Sequence, residues 1–274
     1  MDAAAIDRIG ALAIAAADSN KLGTPTPAIV LGDKVHTLEH LQDGRSRFRG
    51  TLKTNSLADF IGYVKRDHGR GPDDRASGFI DATALAATAF FNLGDHQSPG
   101  HADHLAQLKL DQTAAYRAVL SVDGKRVDQK SLAEWIEEWG TQIDVADDNG
   151  EPLSLSLAIG AIRSVKVKAT AESTTTVGNF AQTRTAMEDI EARASGLANL
   201  PGRLKFRFTP ALGLSEQTAD LRLSLIANPE EKPTFALRWI GREQVQEAIA
   251  QDFKRALFEE IGEAAVLTIG TFTP

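Results

Sequence analysis

The sequence predicts an α+β protein whose C-terminal part is an antiparallel β-meander covered by a long amphipathic helix, in the order β-β-β-α-β. Three runs of alternating apolar and polar residues predict the meander, because this period gives each strand one apolar face. The following segment carries apolar residues at helical spacing and predicts the covering helix. In chain order the three runs and the helix are residues 203–208, 221–225, 235–239 and Arg242–Ile261.

Residues 265–272 predict a last strand that closes this unit. The N-terminal half predicts a mixed α+β part, in which Ser56 and Asp59 have the spacing of a capping box. Helices are predicted up to Asn20, from Ser56, from Thr113 and from Asp128 or Ser131. Further segments predict strands over 28–31, 46–53, 78–82, 87–93, 104–110, 162–169 and 173–177, and a helix over 185–194.

The domain prediction is an N-terminal helix and arm over 1–55, an α+β part over 56–148 and a second α+β part over 149–274. A single domain over 56–274 is the alternative. The only candidate boundary is the polar turn Asp147-Asp148-Asn149-Gly150.

Composition excludes several chemistries. The 274 residues include no cysteine, which excludes disulfides, thiol catalysis and cysteine-held metals and favours a reducing cytoplasm. No apolar run approaches the roughly 20 residues of a membrane helix, so no membrane partner is expected. The Ala-rich start follows Asp2 and Asp7, which indicates a helix and not a signal peptide. A net charge of −7 argues against a nonspecific nucleic-acid coat but allows a local basic surface.

The meander predicts one such surface. Alternation places five cations on the face opposite the helix, where they would attract phosphate. The interleaved Phe206 and Phe208 point into the core and offer no stacking platform. The alternatives are a solvated strand surface and a subunit interface. The five cations are Arg203, Lys205, Arg207, Arg222 and Arg238.

A second basic group precedes the first α+β part at Arg45, Arg47 and Arg49. More cations follow at Lys53, Lys65, Arg66, Arg70 and Arg75, but neither a P-loop nor a Rossmann glycine motif accompanies them. A flexible arm or a nucleic-acid or nucleotide contact would both account for this group.

The segment around Gly94–Gly100 contains His96, His101 and Asp103, which have the side chains of a zinc or hydrolytic metal site. The alternative is a polar hairpin whose side chains bond the backbone. Between Glu134 and Glu151 lies an acidic run without the ligand spacing of a calcium loop, so it predicts a like-charge face or a subunit contact. No catalytic residue and no cofactor are predicted, since no nucleophile motif occurs.

Four segments resemble the YfdQ-like phage and prophage proteins, a family with a domain of unknown function. They begin at Gly100, Ala171, Arg184 and Lys232 and keep their order over most of the chain from about residue 55. The resemblance implies a phage-derived protein acting inside an infected or lysogenic cell, and it implies no catalytic residues.

Three functions remain as hypotheses. The first is a non-catalytic accessory protein, a homo-oligomer, that binds nucleic acid or a nucleotide in recombination, replication or counter-defence. The second is an interaction or assembly protein that blocks a host protein. The third is a metal-dependent hydrolase that uses His96, His101 and Asp103.

Overall fold

A computed structural model describes residues 2–21, 28–31, 34–66, 75–165, 200–226 and 233–274. The chain divides into two units, Met1–Thr51 and Leu52–Pro274. None of the described helices is long and apolar enough to cross a membrane.

The first unit contains helix α1 (Ala3–Lys21) and an antiparallel hairpin of β1 (Ala28–Leu31) and β2 (Lys34–Thr37). These elements confirm the predicted first helix and first strand. Among the side chains described in this unit, the only buried one is the carboxylate of Glu39. The unit therefore has no apolar core among its described side chains.

The described part of the second unit contains two sheets. Its strands are β3 (Gly50–Thr54), β4 (Ala76–Asp81), β5 (Ala86–Phe90), β6 (His104–Lys109), β7 (Arg126–Asp128), β8 (Ile143–Ala146), β9 (Pro152–Leu153), β10 (Arg203–Phe208), β11 (Gln217–Ile226), β12 (Thr234–Ile240) and β13 (Ala265–Ile269). Its helices are α2 (Leu57–Val64), α3 (Ala114–Val122), α4 (Gln129–Glu138), α5 (Leu155–Ser164) and α6 (Arg242–Ile261).

The five-stranded sheet has the order β13-β4-β5-β6-β3. The pairs β4–β5 and β5–β6 are antiparallel, as the predicted strand pair requires, whereas β13 is parallel to β4. The last strand therefore exists but does not close the meander, since its backbone pairs with Ala76–Asp81 in the other sheet. A parallel partner far away in sequence leaves no local turn signal.

The six-stranded sheet has the order β7-β12-β11-β10-β8-β9 and contains the predicted meander at its centre. Its inward side chains, such as Phe206, Leu221 and Phe235, are completely buried. Helices α3 and α4 pack on that side: the Tyr116 ring stacks on Phe208 at 5.0 Å, and the Trp135 ring stacks on Phe206 at 5.4 Å.

Helix α6 has the predicted bounds and contacts β11. It buries Ile249, Phe253, Leu257 and Ile261, the stripe that its spacing predicts. The mixed α+β fold and the meander with its helix are thus confirmed.

The strand predicted over 162–169 is wrong where the structure describes it. Residues 155–164 form α5, which Ser154 caps by accepting a hydrogen bond from the Leu157 amide. Ala158, Ile159, Ala161 and Ile162 are buried at helical spacing, and this burial outweighs the local alternation. The strand predicted over 173–177 and the helix predicted over 185–194 lie outside the described residues.

Candidate anion-binding sheet face

Five cations occupy the outer surface of the six-stranded sheet, and we call them the basic face: Arg203, Lys205, Arg207, Arg222 and Arg238. They alternate along β10–β12 with side chains buried against the helices. The structure thus places all five on one surface, as the period of two predicts.

The strand register brings three of these arginines into one row. Arg203 of β10 lies opposite Arg222 of β11, and Arg222 lies opposite Arg238 of β12. The Leu223 amide donates to the Gly202 carbonyl at 3.0 Å, so the next pair, Arg203 and Arg222, is of the non-hydrogen-bonded kind with closely spaced side chains. Like charges placed directly opposite each other destabilise a sheet.

A second row beside the arginines mixes the two signs. Lys205 lies opposite Asp144 on one side and Asp220 on the other. Asp220 accepts a hydrogen bond from Arg203 at 3.2 Å, and Asp144 forms an ion pair with Arg207 at 3.6 Å. These two carboxylates hold the ends of the β10 cations in place.

Three cations of the basic face keep their charge unpaired. Within the described ranges, the side chains of Lys205, Arg222 and Arg238 form neither a hydrogen bond nor an ion pair. Lys205 and Arg238 are exposed, and Arg222 is half-buried. For an anion to bind these three side chains, no carboxylate of the described residues has to be displaced.

Sequence reasoning missed one further cation of this surface. Arg126 of β7 lies opposite Ala236, which alternates on the same side of β12 as Arg238. The strand has only three residues, so its Arg-Val-Asp alternation was too short to separate from the preceding turn.

The position of the basic face in its sheet shows whether its cations serve to protect edge strands from aggregation. Charges often protect exposed edge strands from aggregation. In the described sheet, β10 and β11 have paired strands on both sides at Arg203 and Arg222, whereas β7 pairs with β12 only over Thr234–Ala236, before Arg238. Edge protection therefore does not account for Arg203 and Arg222.

The upstream arginines lie in the first unit. Arg49 donates to both carboxylate oxygens of Glu39, while Arg45 donates to the Arg49 carbonyl at 3.2 Å. The hydrogen bond from Arg49 and that from the Ser46 amide lower the pKa of Glu39. Arg49 thus stabilises its own loop, and Arg47 also has an interaction partner.

The histidine-rich segment is a hairpin. Asp95 accepts hydrogen bonds from the Gln97 and Ser98 amides at 2.8 and 2.6 Å, and Gly94 has a positive φ of 71°. A Cβ at Gly94 would lie 2.2 Å from the Ser98 carbonyl oxygen, so the turn requires glycine.

The structure does not bring the predicted metal ligands together. Asp103 accepts a hydrogen bond from the side-chain Nδ2 of Asn92 at 2.9 Å, whereas His96 and His101 are exposed. Across the described ranges, no three His, Cys, Asp or Glu side chains form a group that could hold a metal ion. The third nearby histidine, His104, is buried with its ring 4.7 Å from that of Phe91.

The acidic run is partly neutralised by neighbours. Glu137 pairs with Arg163 at 2.9 Å, and Glu134 pairs with Lys130 at 3.7 Å. Asp147 accepts hydrogen bonds from the Glu151 and Asn149 amides, which lower its pKa and fix the tight turn.

A separate cleft of about 730 Å³ lies between the β4–β5 turn, the start of α3 and the first half of α6. Its lining includes Lys109, Asp111, Arg117 and Glu247, so opposite charges alternate around it. None of the basic-face residues lines this cleft.

These features define an α+β protein with an open, arginine-rich sheet surface. The chain belongs to the DUF2303 family, an uncharacterized conserved protein family whose model matches residues 2–272. The predicted membership of a family of unknown function is thus confirmed at this level. Neither the curated proteins nor the solved structures contain a match to the chain.

Proposed function

We propose that this protein is a non-catalytic accessory protein that binds nucleic acid or a nucleotide through the basic face. The phage or prophage setting, the cytoplasmic location and a role in recombination, replication or counter-defence rest on the sequence resemblance and on composition. The supporting observation is the row Arg203–Arg222–Arg238 on central strands.

A ligand rich in phosphate accounts for a row of arginines that repel one another in the free protein. A guanidinium offers a planar fork of donors that fits phosphate oxygens, and each contact is charge-assisted. A polyanion lying along the row removes the repulsion between neighbouring arginines. The repulsion between the arginines destabilises the free protein, and its relief on binding adds to the affinity for the polyanion.

The test is Arg222→Glu, which makes binding and stability change in opposite directions. A carboxylate at position 222 would lie between Arg203 and Arg238 and convert two repulsive cross-strand pairs into attractive ones. We therefore expect a higher thermal unfolding midpoint but at least about tenfold weaker binding of a labelled oligonucleotide, since one phosphate contact to a charged group contributes roughly that much.

The matched control is Lys109→Glu, which makes the same change in net charge at an exposed position of the other sheet. It should leave oligonucleotide binding within about twofold, because the two sites are in different sheets and screening limits long-range effects. Unchanged binding by Arg222→Glu, or an equal loss with Lys109→Glu, would rule out the basic face as the site.

The second candidate function, protein–protein interaction or assembly, is favoured by a different observation. Helix α1 exposes Ile6, Ile9, Leu12 and Ile14, each by more than half of its surface. Three of them, Ile6, Ile9 and Leu12, recur every three residues on one side of the helix, and contiguous exposed apolar side chains mark surfaces that other proteins cover. This candidate is compatible with the first, because it uses the other unit of the chain.

A further inference from the structure

The basic face extends both across the strands and along β10, and these two dimensions indicate the shape of the ligand that it fits. Across the strands, Arg203, Arg222 and Arg238 span two strand spacings, or about 10 Å. Along β10, Arg203, Lys205 and Arg207 span four residues, or about 13 Å. A ligand that satisfies both directions must present phosphates over an area and not along one line.

On the described strands, the outward side of the sheet carries no aromatic ring on which a base could stack. In the six strands, as far as they are described, every outward-facing residue is charged, small, polar or aliphatic, while the aromatic side chains face the helices. Single-strand binders combine a cationic groove with aromatic platforms, and base stacking supplies much of their affinity. The described strands supply the cations but no aromatic platform beside them.

The described basic face is not part of the cleft, which is the kind of site that a mononucleotide needs. Small ligands bind in clefts that bury most of their surface. The cleft of about 730 Å³ is lined by other residues, and the basic face is an open sheet.

Resting on the proposed function, we infer that the ligand is a nucleic-acid duplex, contacted along its two phosphate backbones without base readout. The two backbones bordering the major groove lie about 12 Å apart, a separation close to both dimensions of the basic face. Arginine and lysine side chains supply positioning contacts to phosphate, which carry no sequence information.

The experiment measures binding to a labelled 24-base-pair DNA duplex and to its labelled strand alone, by fluorescence anisotropy over a range of salt concentrations. We expect the duplex to bind at least about tenfold more tightly at the same salt, with little change when the sequence is scrambled. Contacts by Lys205, Arg222 and Arg238 to three phosphates predict a slope of about −2.7 in log K against log salt.

Lys205→Ala should bring that slope closer to zero by about 0.9, since one phosphate contact is lost. Lys109→Ala should not change the slope. The same measurement with an RNA duplex of the same sequence distinguishes DNA from RNA as the ligand. Tighter binding of either duplex than of its own single strand supports the inference.

Equal or tighter binding of the single strand, weakened by Arg222→Glu, would overturn the duplex inference and leave the proposed function intact. If ATP displaces the duplex when both supply the same concentration of phosphate groups, the duplex inference is overturned and the ligand is a nucleotide. Binding to none of these probes would overturn both.

Discussion

At the scale of single residues, Asp252 is a buried carboxylate with a complete set of partners. It accepts from the Ser215 amide at 2.8 Å, from the Ser215 hydroxyl at 3.2 Å and from Arg255 at 2.5 Å. Burial raises the pKa of Asp252, but these hydrogen bonds outweigh burial, so the net pKa lies below its ordinary value of 3.8. The hydrogen bonds between Asp252 and Ser215 connect helix α6 to the loop before β11.

Asp252→Asn is expected to destabilise the fold by about 1–3 kcal/mol at pH 7, because the hydrogen bonds to a charged acceptor are weakened. A depressed pKa in the folded state means that the contribution of the ionised group is complete above the ordinary value and is lost as the pH falls below it. Urea unfolding at pH 7 and pH 3 should therefore show a smaller difference between the two proteins at pH 3. An equal difference at both values would contradict this account.

The basic face shows how far residue patterns can predict a surface. Alternation alone was enough to put the five cations on one side of the strands, because a half-buried sheet allows only one assignment of faces. It could not give the row, since the opposition of Arg203, Arg222 and Arg238 depends on strand register. Nor could it reveal that Asp144 and Asp220 would pair with two of the cations, because β8 was not predicted and Asp220 precedes the predicted run 221–225.

At the scale of secondary-structure elements, α3 begins at a residue that makes two attachments. The Thr113 hydroxyl accepts from the Tyr116 amide at 3.2 Å and donates to the Thr209 carbonyl at 2.5 Å. The first contact caps the helix, and the second fixes its start to the end of β10. Tyr116 is then held so that its ring stacks on Phe208.

Thr113→Val keeps the shape of this side chain but removes the hydroxyl. We expect a loss of about 1–2 kcal/mol in the free energy of unfolding, because a cap is lost and the Thr209 carbonyl loses a donor. Thr113→Ser, which retains the hydroxyl, should recover most of the loss in chemical denaturation. If Thr113→Ser loses as much stability as Thr113→Val, the hydroxyl does not make the contribution assigned to it.

Elements with long periodic patterns were predictable, whereas short or remote ones were not. Helix α6 was predicted with its observed bounds because its 20 residues present one buried stripe. Strands β7 and β9 have three and two residues, too few for a period to be recognised. In α5, an apparent period of two competed with capping by Ser154 and helical burial, and only tertiary packing decides between them.

At the scale of the whole molecule, the two units differ in how they are stabilised. The second unit has one continuous apolar core that involves both of its sheets. The described side chains of the first unit include no buried apolar residue, while Ile6, Ile9 and Leu12 are exposed. This exposure is the observation behind the proposed protein–protein interaction, and a second copy of the chain is one partner that can be tested.

The double change Ile6→Ser with Ile9→Ser should lower the oligomeric state, because it removes two apolar side chains from the contact surface. Native mass spectrometry and sedimentation velocity would measure this, with Asp2→Ser and Asp7→Ser as a control that changes polar residues of the same segment. A species of unaltered mass would exclude this surface of α1 from the assembly. Duplex binding should persist, since the basic face belongs to the other unit.

The parallel pairing of β13 with β4 has a consequence for how the protein is made. Residues 76–81 leave the ribosome early, but their outer backbone groups remain without the β13 partner until residues 265–269 have been synthesised. At about 5–20 residues per second, that interval lasts on the order of 10–40 seconds. During it the nascent chain presents an open strand edge at β4, which is a template for mispairing until β13 has been made.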